Sequence, residues 1–342
     1  MFSTPWKSLC IPALAAAIAL PGAGMAQEKV TWRVQTHWPS ASSSFEGSLV
    51  RIKNKIAECT DGRLTLELHE AGALFPATEI FNAVKRGVIQ MGTTSPAYLP
   101  ATVTTAGVAA GLPLAFHHVW EAVYFQKHMN FEQVIRDEIA KQGVYYSTDK
   151  VYATEMVLKK PIQSVEDLKQ MKIRSSGTLQ RFLSEAGAAA SYIAGPEIYP
   201  ALATGVIDGA HWGAAQGASS MGLYEVAKYH VKPPLTISGI DAFIVNQKAL
   251  DKLPAELRKC VIDELDKQFW ARTNEYEFLE QTTLAKAMRE QGVKVNQLPP
   301  DVVAHLTNAA QKIWEDEAKK GPEAAKAVAM IRDLLVRLGY ID

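Results

Sequence analysis

What this chain lacks narrows its function before any residue is singled out. No glycine-rich phosphate loop follows a strand, no His-Glu-x-x-His occurs and no Gly-x-Ser-x-Gly elbow is present, so nucleotide, zincin and α/β-hydrolase chemistry have no anchor here. An excess of one charge is missing too: 36 basic residues face 36 acidic ones, which argues against nucleic acid or an anionic membrane surface as partner. Apolar runs are short. The longest, Leu9 to Leu20, falls below the ~20 residues that span a bilayer. Metal-ligand clusters are absent as well. His117 and His118 are adjacent and so point in different directions on a regular element, and no cysteine or acidic cluster joins them. No cofactor is expected.

Lys7 precedes the apolar run, and Gly24-Met25-Ala26 supplies small residues for a signal peptidase. Residues 1–26 therefore read as a cleaved export signal. Cys10 lies inside that signal, behind Lys7-Ser8-Leu9, which lacks the small residues of a lipid-modified cysteine. The mature chain is expected to be soluble in the periplasm. Without Lys7 it carries 35 basic against 36 acidic residues. Cys59 and Cys260 remain, either as a disulfide suited to an oxidising compartment or as two separate thiols.

Val30, Trp32 and Val34 alternate as a half-buried strand; Phe45, Leu49, Ile52, Ile56 and Cys59 recur at helical spacing up to Asp61-Gly62; Leu64, Leu66 and Leu68 alternate again. Strand, helix, strand predicts an α/β fold with a parallel sheet covered by helices. An internal echo extends this. Residues Glu79 to Ile89 reappear as Glu197 to Ile207 with six of eleven positions identical. Each copy reads as a helix stopped by a glycine, Gly87 or Gly205, and followed by a strand. Two similar lobes follow, at residues 27–150 and 151–239, with part of 240–300 returning to the first.

In open α/β sheets, ligands sit beyond the carboxyl ends of strands. The echo's offset sets Thr93, Thr94 and Ser95 opposite His211, Trp212 and Gly213. It also sets the loop Gln35 to Ser44, with His37 and Trp38, opposite Arg174-Ser175-Ser176-Gly177. Arg174 is the leading candidate, because a guanidinium fork at a strand end grips a carboxylate through two parallel charged hydrogen bonds. Trp212 offers a flat apolar wall. His211 is a hydrogen-bond donor whose charge responds to pH. Lys150, Tyr152 and Thr154 alternate toward the cleft on a stretch leading into Val157. Farther on, Pro254 opens an amphipathic run through Leu257, Val261, Leu265, Phe269, Tyr276 and Leu279 to about Gly292. It forms a bridging helix (254–292) of roughly 50 Å at ~1.5 Å per residue. Pro299-Pro300 and Gly321-Pro322 delimit helices in 300–342, and the apolar face of Ala324 to Leu338 packs on its own domain or on a second subunit.

These residues resemble the solute-binding subunits of tripartite ATP-independent periplasmic (TRAP) transporters. The resemblance runs through Ala71-Gly72-Ala73-Leu74, Glu79, Gly87-Val88, Lys160-Pro161-Ile162, Ser164 to Leu168, Met171-Lys172-Ile173-Arg174 and Tyr199 to Gly209. It implies a two-lobed periplasmic binding fold, Arg174 as the carboxylate-binding arginine, and integral membrane subunits driven by an ion gradient. Trp212 and the C-terminal region are similar to the branch that binds 2-oxo acids and related monocarboxylates, some members of which dimerise by exchanging a terminal helix. Metal-assisted members of that branch carry a glutamate where this chain has His211, and a hard cation prefers oxygen ligands. The resemblance thus implies an acid held directly by Arg174, with Lys150 supplying further positive charge and Trp212 stacking an aromatic tail. The expected function is capture of a 2-oxo acid, hydroxy acid or aromatic carboxylate for uptake, without catalysis. A sensor module presenting a carboxylate to a receptor would need the same cleft.

Overall fold

The computed structural model describes residues 1–4 and 29–341. The expected signal, apart from residues 1–4, lies outside the described residues. Strands β1 (Val30–Gln35), β2 (Leu64–His69), β3 (Met91–Thr94) and β4 (Val144–Thr154) precede β5 (Met156–Leu158), β6 (Lys172–Arg174) and β7 (Ala189–Ser191). Then come β8 (Gly209–His211), β9 (Tyr229–Lys232), β10 (Thr236–Asn246) and β11 (Lys294–Gln297). They form two sheets, ordered β2-β1-β3-β10-β4 and β11-β9-β5-β8-β6-β7.

The echo is visible in both sheets. β1 pairs in parallel with β2 on one side and β3 on the other, and β6 does the same with β7 and β8. Helices Ile80–Lys85 and Ile198–Thr204 run into Gly87 (φ 73°) and Gly205 (φ 78°), and these precede β3 and β8. A residue without Cβ takes that left-handed turn with little strain. Neither sheet is wholly parallel, contrary to the expectation. β10 lies antiparallel to β3 and β4, and β5 lies antiparallel to β8 and β9. These strands carry the chain between the sheets, and β10 is buried along its whole length, so it shows none of the alternation that marks a half-exposed strand.

The crossings fall at Glu155 and at residues 233–235 rather than at 150 and 239. β4 and β10 stay paired down to Thr154 and Thr236. Glu155 ties the two crossings together through His230 and Lys232. Residues 240–246 belong to the first sheet, and residues 294–297 join the second.

Helix Ala255–Glu290 has 36 residues and spans ~54 Å at the standard rise. Its Leu257, Val261 and Leu265 share a core with Val34 and Phe243 of the first lobe, and Ala287 shares one with Val157 and Leu223 of the second. A disulfide, Cys59–Cys260, fixes it to helix Arg51–Cys59 across a Cα separation of 6.2 Å. Helix Pro300–Ala318 packs Val302, Leu306 and Ile313 on the second lobe, whereas Pro322–Arg337 packs Val328, Ile331 and Leu335 on the first. The apolar face of that last helix is therefore covered within its own chain, with no second subunit needed to bury it.

Candidate functional site

Between the sheets, at the carboxyl ends of β1, β3, β6 and β8, lies a small cavity of about 60 Å³. His37, Trp38, Ser95, Tyr152, Thr154, Arg174, His211 and Trp212 all line it. Lys150 does not.

The second lobe's wall is built around Arg174, the last residue of β6, which is 1% exposed. Its Nε donates to the Ile193 carbonyl at 2.9 Å, Nη1 to the His211 carbonyl at 2.8 Å and Nη2 to the Tyr98 hydroxyl at 3.3 Å. Two of the five N–H donors of a guanidinium are left without a partner among the described residues. Among the described residues no carboxylate lies within 4.0 Å of it. A buried cation held only by neutral groups keeps an uncompensated charge, which is costly away from water. Trp212 stands 5.3 Å from the guanidinium carbon at its ring centroid. Gly195 makes room for the indole, since a Cβ there would approach to 2.6 Å.

His211 behaves differently from the pH-responsive donor that the sequence suggested. Its Nε2 is 2.9 Å from Ser175 Oγ. Burial, reinforced by the Arg174 charge, pushes its imidazole well below the ordinary value, so it stays neutral through the physiological range.

The first lobe's wall holds the compensated charges. Lys150 Nζ is fully buried between Asp149 and Asp241 and lies 4.8, 5.1 and 5.3 Å from the rings of Trp38, Tyr152 and Tyr276. Its charge is thus committed to two carboxylates rather than offered to a ligand. Asp241 Oδ1 also accepts from His37 Nε2 and from the Tyr152 hydroxyl, each at 3.2 Å. Burial pushes the Asp241 carboxyl up, but the Lys150 ammonium and His37 outweigh it and hold the group well below the usual carboxylate range.

Asp241, Tyr98 and Tyr276 line the cavity and were missed from sequence. Asp241 left a signal as a lone acid in the apolar run Leu235 to Val245. Tyr276 left none, because it fits the helical period of the long helix.

Contacts across the mouth hold the two walls close. Besides Arg174 to Tyr98, Ser43 N donates to Ser220 Oγ at 3.2 Å and Thr178 Oγ1 to the Gly107 carbonyl at 3.1 Å. Gly177 (φ 54°) sits so near Ala97 that a Cβ on it would lie 2.7 Å from the Ala97 Cβ. Among the described residues no group of three His, Cys, Asp or Glu side chains is placed to hold a metal ion. The acids nearest the cavity already carry the Lys150 ammonium. His117 stacks on Tyr340 at 4.1 Å and lines a separate cavity with His118.

The family model described as bacterial extracellular solute-binding protein, family 7, matches residues 35–320. A monocarboxylate 2-oxoacid-binding periplasmic protein of Nostoc sp. is 26% identical over 312 residues, covering 85% of this chain and 80% of that protein. Among solved structures, a TRAP periplasmic solute-binding protein of Pseudoalteromonas atlantica with bound sodium and pyruvate superposes with a TM-score of 0.82 at 24% identity, covering 91% of this chain and 95% of that one. A TRAP solute-binding protein of Bordetella bronchiseptica, a mixed-occupancy dimer with calcium and picolinate, gives a TM-score of 0.82 at 22% identity over 91% and 93% of the two chains.

Proposed function

We propose that this chain, which belongs to bacterial extracellular solute-binding protein family 7 and is a periplasmic solute-binding protein of the TRAP type, captures a small organic acid by pairing its carboxylate with Arg174. The observation that carries this is the uncompensated guanidinium. It is 1% exposed, it has no carboxylate partner among the described residues, and it keeps two N–H donors beside a cavity that both lobes enclose. Two free donors on one planar fork match the two oxygens of a carboxylate. The ligand supplies the missing counter-charge, so binding and closure stabilise each other, and Trp212 covers the apolar part of the acid.

Family and fold are those of binding proteins rather than enzymes. We read the site accordingly: no group in the cavity combines a nucleophile with a free base, and the bound acid leaves unchanged for the membrane subunits of the transporter. Metal-free binding follows from the same electrostatics, because Arg174 fills the role that a cation plays toward a carboxylate.

Thermal-shift screening against a library of small organic acids tests this. An acid supplied at 100 times its Kd should stabilise the protein by about 2.7 kcal/mol, and Arg174→Ala should abolish the shift while leaving the unliganded melting transition cooperative. A hit from neutral or cationic solutes only, or one untouched by Arg174→Ala, contradicts the proposal.

A further inference from the structure

Facing Arg174 across the cavity, the wall formed by Tyr152, Asp241 and His37 has a hydrogen-bond polarity that can be worked out atom by atom. A phenol has one proton, and Tyr152 gives it to Asp241 Oδ1. Its oxygen therefore has only lone pairs left to offer. His37 uses Nε2 on the same oxygen, and its Nδ1 lies 2.9 Å from Thr93 Oγ1. A consistent proton assignment runs from Trp38 N–H to Thr36, from Thr36 to Thr93, from Thr93 to His37 Nδ1, and from His37 Nε2–H to Asp241. Lys150 sits on Asp241 Oδ2 and secures its charge. No N–H or O–H of these three residues is left for a ligand. The hydroxyls of Ser42, Ser44, Ser95 and Thr154 rotate to either role, so the fixed polarity of this wall belongs to Tyr152 and Asp241.

The groups of fixed polarity are thus donors on Arg174 and acceptors on Tyr152 and Asp241. A carboxylate suits the first. A ketone turned toward the second would set its lone pairs against those of Tyr152 and Asp241, whereas a hydroxyl or ammonium group would donate to them. We propose that Tyr152 and Asp241 make the site selective for organic acids that carry a hydrogen-bond donor, hydroxy or amino acids in preference to 2-oxo acids. This deepens the carboxylate proposal and rests on it. Lys150 acts as a positioning residue, since it keeps Asp241 an acceptor without touching the ligand. The preference also separates this chain from 2-oxo-acid binding in the branch it resembles.

Calorimetric titration with matched pairs, from lactate and pyruvate to their branched homologues and the corresponding 2-amino acids, tests the proposal. The donor-bearing member should bind at least about tenfold more tightly to the wild type, the equivalent of one hydrogen bond left unmade. Tyr152→Phe removes the acceptor oxygen without disturbing Lys150, and should collapse the ratio toward unity while both members still require Arg174. Asp241→Asn, whose amide donates, should favour the oxo member. Equal or tighter binding of the oxo acid by the wild type overturns the selectivity and leaves the carboxylate proposal standing, as does a ratio unchanged in Tyr152→Phe. If neither member of any pair binds and Arg174→Gln matches the wild type, the carboxylate proposal itself falls and this one with it.

Discussion

Gln35 and Arg174 occupy the same place in the two lobes. Each ends the middle strand of a parallel triplet, β2-β1-β3 or β7-β6-β8, beside Gly92 in one case and Ala210 in the other, and those neighbours are themselves matched by the echo. Gln35 Nε2 donates to the Phe75 carbonyl at 2.6 Å, and Arg174 Nε donates to the Ile193 carbonyl at 2.9 Å. The next residues repeat the likeness, with Thr36 Oγ1 2.6 Å from Thr93 Oγ1 and Ser175 Oγ 2.9 Å from His211 Nε2. One frame thus carries two outcomes. The glutamine amide closes on its own loop, since its Oε1 also accepts from Phe75 N. The guanidinium makes the same stitch with one donor, spends two more on the His211 carbonyl and the Tyr98 hydroxyl, and keeps two without a partner among the described residues. The same position is structural in one lobe and a candidate binding position in the other, and the loop contact is common to both.

A second contrast lies between two of the buried cations, Lys150 and Arg174. Lys150 has two carboxylates, and Arg174 has none among the described residues. Lys150→Met should therefore be the most damaging change to the fold, costing about 3–5 kcal/mol in urea unfolding at neutral pH because two buried acids lose their cation. The loss should shrink on acidification. Asp241 lies below its ordinary value in the wild type, so its contribution is complete above about pH 4 and fades only as pH falls through the lowered value, whereas the unpaired acids of the variant are relieved as soon as they protonate.

Arg174→Gln, which recreates the first-lobe residue in the second lobe, should act the other way. Acid binding should weaken by about 2–5 kcal/mol, as for removal of one partner of a buried charge pair, while unliganded stability holds or rises. Isothermal calorimetry paired with unfolding separates the two effects. Gln35→Ala should reverse that pattern, costing about 1–3 kcal/mol of stability through the orphaned Phe75 backbone groups and leaving ligand affinity nearly unchanged. The smallest effect is expected from Ala97→Leu. It crowds Gly177 at the mouth and should weaken binding by about tenfold, or 1.4 kcal/mol, without lowering the melting temperature of the unliganded protein.

Much of this frame was legible in the sequence, because its markers are local. A glycine that must take positive φ after a short helix announces the next strand, and two such glycines at matching offsets aligned the lobes closely enough to bring His37, Trp38, Ser95, Arg174, His211 and Trp212 to one cavity. What stayed hidden was carried by long-range pairing. Lys150 reads as a spare cation until Asp241, 91 residues away, is folded against it. β4 and β10 give no alternation because both are largely buried, so their antiparallel pairing and the place where the chain changes lobe could not be read from periodicity. Tyr276 satisfies the helical period of the long helix while its ring faces the cavity, and a pattern of apolar positions does not distinguish the two.

The most direct test is a crystal structure of the protein purified with its native solute still bound. It should place two oxygens of a carboxylate about 2.7–2.9 Å from the two unpartnered N–H groups of Arg174, with Lys150 still seated between Asp149 and Asp241. A solute without a carboxylate, or one whose carboxylate lies on Lys150 while Arg174 keeps only its carbonyl and Tyr98 contacts, would contradict the account.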